Sequence, residues 1–251
     1  MGFDLTVLGS AGTHTGPGRA CSGYLYETSE ARLLVDCGNG ASAHLLSRYD
    51  WKDLDAIVIT HRHIDHCADL IGAFYALRFH ADGPQTVDLY AAPEVLEVML
   101  SVLSRDSAFE FTEVFHHIEL GFGDRFMVGD MSFECIESVH PAPTVTLRTT
   151  AAGRILTYSS DSAGSDLLEE AARGSDLFVC EATWQGEADN LPPGIHLTAR
   201  DAGSLAERAE APRLLLTHIL GSLDRETSLA QAAETYHGDL ALAEDGTTFN
   251  V

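Results

Sequence analysis

The chain has 251 residues, 45% apolar and 21% charged, with a net charge of −23 at pH 7. That length can bury a sizeable core, while so acidic a surface, with Lys52 as the only lysine and no Lys/Arg cluster, argues against tracking a nucleic-acid backbone. No apolar run reaches the roughly 18 residues of a membrane span, the N-terminal run Met1–Thr6 lacks a basic leader, and five cysteines without a CxxC pair fit a reducing, cytoplasmic setting.

Phe3–Leu8 reads as a buried strand. The run Gly9-Ser10-Ala11-Gly12-Thr13-His14-Thr15-Gly16-Pro17-Gly18 follows, and its glycines suggest a tight loop bordering a site. Gly23–Glu27 and Arg32–Cys37 read as a hairpin turning at Thr28-Ser29-Glu30, and Ala41–Arg48 as a helix. Leu54–Thr60 is an apolar, β-branched strand, Ala68–His80 a helix, Val87–Ala91 a strand and Pro93–Ser104 a helix. In the second half, strands are expected at Phe133–Val139, Thr144–Thr149, Arg154–Ser159, Leu177–Ala182 and Arg213–Thr217. Helices are expected at Ser165–Arg173, Thr198–Glu210 (with Thr198 as N-cap) and Thr227–His237. Strands alternating with helices favour an α/β fold. No linker or low-complexity tract divides the chain, so residues 1–251 are expected to form one domain.

The Leu54–Thr60 strand runs directly into His61-Arg62-His63-Ile64-Asp65-His66. In an extended loop, residues two apart point the same way, so His61 and His63 can close on one ion. Asp65 and His66 fall where the chain turns into a helix and can face a second. Nitrogen-rich donor sets with few sulfurs suit zinc or a neighbouring divalent metal. Cys67 follows the motif and is expected to pack beneath it. Cys135 and Cys180 lie within apolar strands and are expected in the core.

Three further strands end in metal-capable residues: one at His140, one at Asp161, one at His218. Residues at strand ends can converge on one sheet edge, where α/β proteins usually keep their chemistry. His196, after Pro192-Pro193-Gly194, reads on spacing alone as a loop histidine with or without a function.

His-x-His-x-Asp-His after an apolar strand, followed in order by His140, Asp161 and His218, resembles the signature of the metallo-β-lactamase-fold hydrolases. The resemblance implies an αββα sandwich of two mixed sheets flanked by helices. It implies two divalent metal ions, zinc favoured over manganese or iron. His61, His63 and His140 would hold the first, Asp65, His66 and His218 the second, and Asp161 would bridge them, with a shared water-derived hydroxide as nucleophile. Cysteine stands at the Asp161 position in the best-known zinc β-lactamases, so lactamase activity is disfavoured. Leu177–Thr183 and His196-Leu197-Thr198 resemble the E-A-T and H-x-T motifs of the ribonuclease Z branch. There the counterpart of His196 contacts the scissile phosphate and that of Glu181 orients it, a pairing suited to protonating a leaving oxygen. By the same resemblance Asp65 would orient the nucleophile.

Ribonuclease Z enzymes carry a long basic arm between the third histidine and the bridging aspartate. Here His140 and Asp161 stand only 21 positions apart, so transfer-RNA processing lacks both reach and charge. Together with Gly9-Ser10-Ala11-Gly12, Ser22-Gly23-Tyr24-Leu25 and Leu215–Ile219, the pattern resembles the compact cyclic-nucleotide phosphodiesterases of actinobacteria and bacilli. A small phosphodiester, cyclic AMP first, is the expected substrate, with no membrane partner and a homodimer as the expected assembly. The rivals are a broad phosphodiesterase or small-RNA nuclease, a glyoxalase-like thioesterase, and a non-catalytic metal-dependent nucleotide-binding domain. Trp184, three residues past Glu181, suits stacking on a base and core packing equally.

Overall fold

The computed structural model describes residues 2–251; Met1, the first residue of the run read for a leader, lies outside them. The chain forms β1 (Asp4–Gly9), β2 (Ala11–Gly12), β3 (Gly23–Glu27), β4 (Arg32–Cys37), α1 (Ala41–Leu46), β5 (Ala56–Ile59), α2 (Ile64–Cys67), α3 (Leu70–Arg78), β6 (Val87–Ala91), α4 (Val95–Ser101), α5 (Arg105–Val114) and β7 (Phe115–Glu119). Then come β8 (Arg125–Val128), β9 (Met131–Glu137), β10 (Val145–Ala151), β11 (Arg154–Tyr158), α6 (Asp166–Ala172), β12 (Leu177–Glu181), α7 (Ala199–Arg208), β13 (Arg213–Thr217), β14 (Ile219–Leu220), α8 (Arg225–Ala233), β15 (Asp239–Leu242) and β16 (Thr248–Asn250).

Two seven-stranded sheets dominate, in the orders β16-β1-β3-β4-β5-β6-β7 and β15-β13-β12-β11-β10-β9-β8. Both are mixed: β4, β5, β6 and β7 run parallel, as do β11, β12, β13 and β15, while the remaining pairs are antiparallel. Alternate side chains on each strand point to opposite faces, so each sheet builds two cores. Leu5, Val7, Tyr24, Val35 and Val58 of the first sheet meet Phe133, Leu147, Leu156, Val179 and Leu215 of the second between the layers. The outer face of the first sheet packs Leu34, Ile57 and Leu89 against Leu45, Phe74, Leu77 and Phe111 of the helices. Phe178, Leu214 and Leu216 do the same beneath α6, α7 and α8. The result is the expected αββα sandwich. No helix among the described residues is long and apolar enough to cross a membrane.

Three sequence expectations need adjusting. The helix expected over Ala68–His80 is shorter, Leu70–Arg78, and is separated from α2, which stops at Cys67. Asp69 makes the break, its N–H donating to the Cys37 carbonyl and its carboxylate accepting from the Gly40 and Ser42 amides that open α1. The helix expected over Pro93–Ser104 ends at Ser101, and Ser104 caps a second helix by accepting from the Ser107 amide. Six short strands, β2, β7, β8, β14, β15 and β16, were not expected. Thr198 does cap α7, its hydroxyl accepting from the Asp201 amide while Asp201 answers to the Thr198 hydroxyl and amide.

Candidate metal centre

Every residue singled out for metal binding sits at or just past the end of a strand along one edge of the sandwich. His61 and His63 follow β5, Asp65 and His66 lie on α2, His140 follows β9, Asp161 follows β11 and His218 follows β13. Two of these turns use backbone with positive φ at non-glycine residues, Ser160 (51°) and His218 (53°), and Asp36 (56°) near the end of β4 does the same. Such conformations cost of order 1–3 kcal/mol each and collect where the surroundings fix a site.

The donor atoms of the seven expected ligands fall into two groups sharing one carboxylate, His61, His63, His140 and Asp161 in one, and Asp65, His66, His218 and Asp161 in the other, while Glu181, His196 and His218 form a third group. In the first, His63 Nδ1 lies 3.1 Å from both His61 Nε2 and His140 Nε2, and Asp161 Oδ2 lies 3.5 Å from His61 Nε2. In the second, His66 Nε2 lies 3.2 Å from His218 Nε2, and Asp65 Oδ2 lies 3.1 Å from His218 Nε2. Asp161 turns its other oxygen, Oδ1, to this group, 3.2 Å from His66 Nε2 and 3.3 Å from His218 Nε2. Two donors on one tetrahedral ion with bonds of 2.0–2.1 Å stand roughly 3.3 Å apart, so these separations match ligands converging on a common point. Asp161 Oδ1 is buried with no hydrogen-bond partner among the described residues. An orphaned buried carboxylate oxygen is costly, and a cation removes the cost. The donor set therefore fits two divalent ions.

Partners behind the imidazoles fix their orientation. His66 Nδ1 lies 2.7 Å from Asp36 Oδ2, His218 Nδ1 2.8 Å from the Thr183 hydroxyl, and His140 Nδ1 2.9 Å from the Ile195 carbonyl. Thr60 Oγ1 stands 3.3 Å from His61 Nδ1. Asp36 is the hub: fully buried, it also accepts from the Thr60 amide and hydroxyl and from the Tyr158 hydroxyl. Such outer partners set tautomer and aim. Asp36 was missed in the sequence, where its only signal is a charged residue closing an apolar strand. The Gly9–Gly18 loop does border the site, the Thr13 amide donating to Asp65 Oδ2 at 2.8 Å. Cys67 lies beneath the motif as expected, its thiol donating to the His63 carbonyl while burial pushes its pKa up to about 12. Cys135 and Cys180 are in the core.

Electrostatics follow the same division. Burial, then the neighbouring imidazoles, hold His61 well below the ordinary histidine range and also lower His63 and His140, keeping them as neutral donors. His66 goes the other way: burial opposes its charge, but the carboxylates of Asp161, Asp36 and Asp65 raise it well above that range. Asp161 is held well below the usual carboxylate range, the histidines His218, His66 and His61 outweighing its burial.

Glu181 and His196 stand beside the clusters. Glu181, fully buried at the end of β12, accepts from the amides of Ser162, Thr183 and Leu197 and from the Thr183 hydroxyl. Its Oε1 lies 2.9 Å from His196 Nδ1. Burial pulls the imidazole pKa down, but the Glu181 carboxylate more than reverses this, carrying it up to about 9. His196 Nδ1 is 4.0 Å from Asp161 Oδ2, and its ring packs against those of His140 and His218. All nine residues expected to form the site are thus brought to one place.

An αββα sandwich bearing paired histidine–aspartate clusters on one edge defines the class of protein: a metal-dependent hydrolase. More narrowly, residues 31–219 match the family model described as "Beta-lactamase superfamily domain", and the chain belongs to that family. It is 32% identical to an uncharacterised protein of Mycobacterium leprae, over 98% of this chain and 88% of that protein. It is 26% identical to the probable metallo-hydrolase YhfI of Bacillus subtilis, over 96% of this chain and 97% of YhfI. The YhfI crystal structure superposes with a TM-score of 0.87 over 98% of this chain and 99% of that one, at 24% identity. Ribonuclease Z of Methanopyrus kandleri is 26% identical over 98% of this chain and 97% of that enzyme.

Proposed function

We propose that this protein is a dinuclear-metal phosphodiesterase acting on cyclic nucleotides, with cyclic AMP the favoured substrate. In this reading His61, His63 and His140 would hold one divalent cation and Asp65, His66 and His218 the other, with Asp161 common to both groups. Zinc suits the nitrogen-rich donors best, and manganese and iron accept the same set. Two such cations supply a nucleophile from water at neutral pH and offset the charge on phosphate oxygens.

The observation that carries the phosphoester reading is the Glu181–His196 pair beside the clusters. Glu181 occupies Nδ1 of the imidazole and leaves Nε2 for the substrate. The buried Glu181 carboxylate favours the protonated ring, which is placed to donate a proton from Nε2 to the departing O3′. Asp65, held by the Thr13 amide, orients the attacking water. A thioester would give such a donor less to do, because a thiolate leaves without protonation.

A small substrate is favoured over transfer RNA. Although one relative is named ribonuclease Z, β10 and β11 fill the interval between His140 and Asp161, and a net charge of −23 repels a polyanion. The assembly proposed is a homodimer of one-domain chains without a membrane partner.

The test is turnover of cyclic AMP, bis-p-nitrophenyl phosphate and S-lactoylglutathione by metal-replete protein, alongside His196→Ala. That variant should keep two metal equivalents by elemental analysis while turnover falls about 10²–10⁴-fold. Loss of the metals with the imidazole, preferred cleavage of the thioester, or cyclic AMP bound without being consumed would each overturn the reading.

A further inference from the structure

A cavity of about 520 Å³ opens against His196, whose ring stands beside the metal clusters and packs against those of His140 and His218. It is far larger than a phosphate group needs and within the usual range of small-molecule pockets. Trp184, Leu191 and Leu205 give it apolar walls, while Ser204 and Arg208 place polar groups in the lining.

We propose that this cavity seats the nucleobase of the substrate, with Trp184 as the stacking wall; the proposal rests on the phosphodiesterase reading above. The sugar of a cyclic nucleotide carries both the departing O3′ and the base. With His196 at that oxygen, the base extends past the imidazole into the space behind it.

Trp184 is built to be a fixed surface. Its amide donates to the Leu197 carbonyl at 3.2 Å and its carbonyl accepts from the Ala199 amide at 3.0 Å, tying it to the start of α7. Its ring meets that of His196 edge-on, with centroids 5.2 Å apart and planes at 85°. The side chain is only half-buried, so indole surface remains for a flat ring to cover, and base–aromatic stacking accepts any base.

The polar lining favours an uncharged ring edge over a second anion. Arg208 Nε is 2.8 Å from Glu169 Oε2, an ion pair that offsets its charge. Its other arm donates to Ser204 Oγ at 2.8 Å, which leaves the serine proton free to donate. One oxygen of Asp201, Oδ2, accepts from the amide and hydroxyl of Thr198. The groups on offer are therefore the donors of Ser204 and Arg208 with Asp201 as an acceptor, a mixture matched to the ring nitrogens and exocyclic amine of adenine.

The experiment uses cyclic AMP and its abasic counterpart, the 3′,5′-cyclic phosphate of 1-deoxyribose, with metal-replete enzyme. Trp184→Ala should lower kcat/KM for cyclic AMP about tenfold more than for the abasic ester, through KM, and Trp184→Phe should recover most of the difference. Independently, adenosine 5′-monophosphate should quench the emission of Trp184 saturably in a Trp51→Phe background, where it is the sole tryptophan. Equal losses on both esters, or emission unmoved by the nucleotide, would overturn the assignment. If wild-type enzyme consumed neither ester, the reaction reading would fall, and the quenching titration would still decide whether the cavity takes a base.

Discussion

The side chain on which the proposed chemistry turns is His196, whose strongest charged neighbour is Glu181. Glu181 carries the imidazole pKa up to about 9 against the pull of burial. The proton-donating form is therefore present below that value and is lost as pH rises through it, giving turnover a falling alkaline limb. Bound cations repel the imidazolium, so the limb in the loaded enzyme lies at or below about pH 9. Glu181→Gln removes the charge that favours the protonated ring, and the limb should move to lower pH by a unit or more. A pH–rate profile of the two proteins checks this, and an unmoved limb would assign it to another group. The sequence displayed His196 only through its likeness to a motif, because a histidine after Pro192-Pro193-Gly194 has no local signature of its own. Asp36 was harder still. Its importance comes from partners at Thr60, His66 and Tyr158, which only the folded chain brings within reach.

Among the elements, those carrying the proposed ligands were readable because β5, β11 and β13 close on buried residues and β9 alternates buried with more exposed ones. The strands that escaped, β16 and β7 in one sheet and β15 and β8 in the other, are the four sheet edges. An edge strand has one unpaired flank and less burial, and Phe115-His116-His117-Ile118-Glu119 accordingly alternates too little to stand out. The short pair β2 and β14 also went unread, yet it presses the glycine loop against a proposed ligand. Ile219 pairs with Ala11 and Leu220 with Gly12, so closely that a Cβ on Gly12 would lie 2.4 Å from the His218 carbonyl oxygen and 2.7 Å from its Nδ1. The ring nitrogen is held, since Nδ1 faces the Thr183 hydroxyl. Gly12→Ala should therefore tilt His218 and weaken binding of one metal equivalent about ten- to a hundredfold, the usual effect of disturbing a ligand's support. Chelator competition, with two equivalents resolved in the wild type, measures it. Weakening of both equivalents alike would mean that His218 serves the two ions in common.

At the scale of the whole molecule, the proposed ligands come from both layers of the sandwich. The residues from His61 to His66 belong to the β5 side, while His140, Asp161 and His218 follow strands of the opposing sheet. Each cation would thus tie one sheet to the other, and an unfolded chain could not hold it in that geometry. Binding to the folded state alone stabilises by about 2.7 kcal/mol when free metal is at a hundred times its Kd, which for a chain of this size raises Tm by roughly 5–10 °C per site. The rise should depend on pH, with a sign that follows from His66. Its pKa is held well above the ordinary histidine value by Asp161, Asp36 and Asp65, against its burial. In the protein alone, the stabilisation from that charged ring is fully present below the unfolded histidine value of about 6.5 and is lost as pH rises through the folded one. A proton on His66 and a cation in the second site answer the same carboxylates and exclude one another. Zinc should therefore raise Tm least near pH 6 and more as pH increases, with a chelator reversing the gain. Differential scanning fluorimetry across that range tests it, and a zinc-induced rise that shrank with increasing pH would place the cation away from His66.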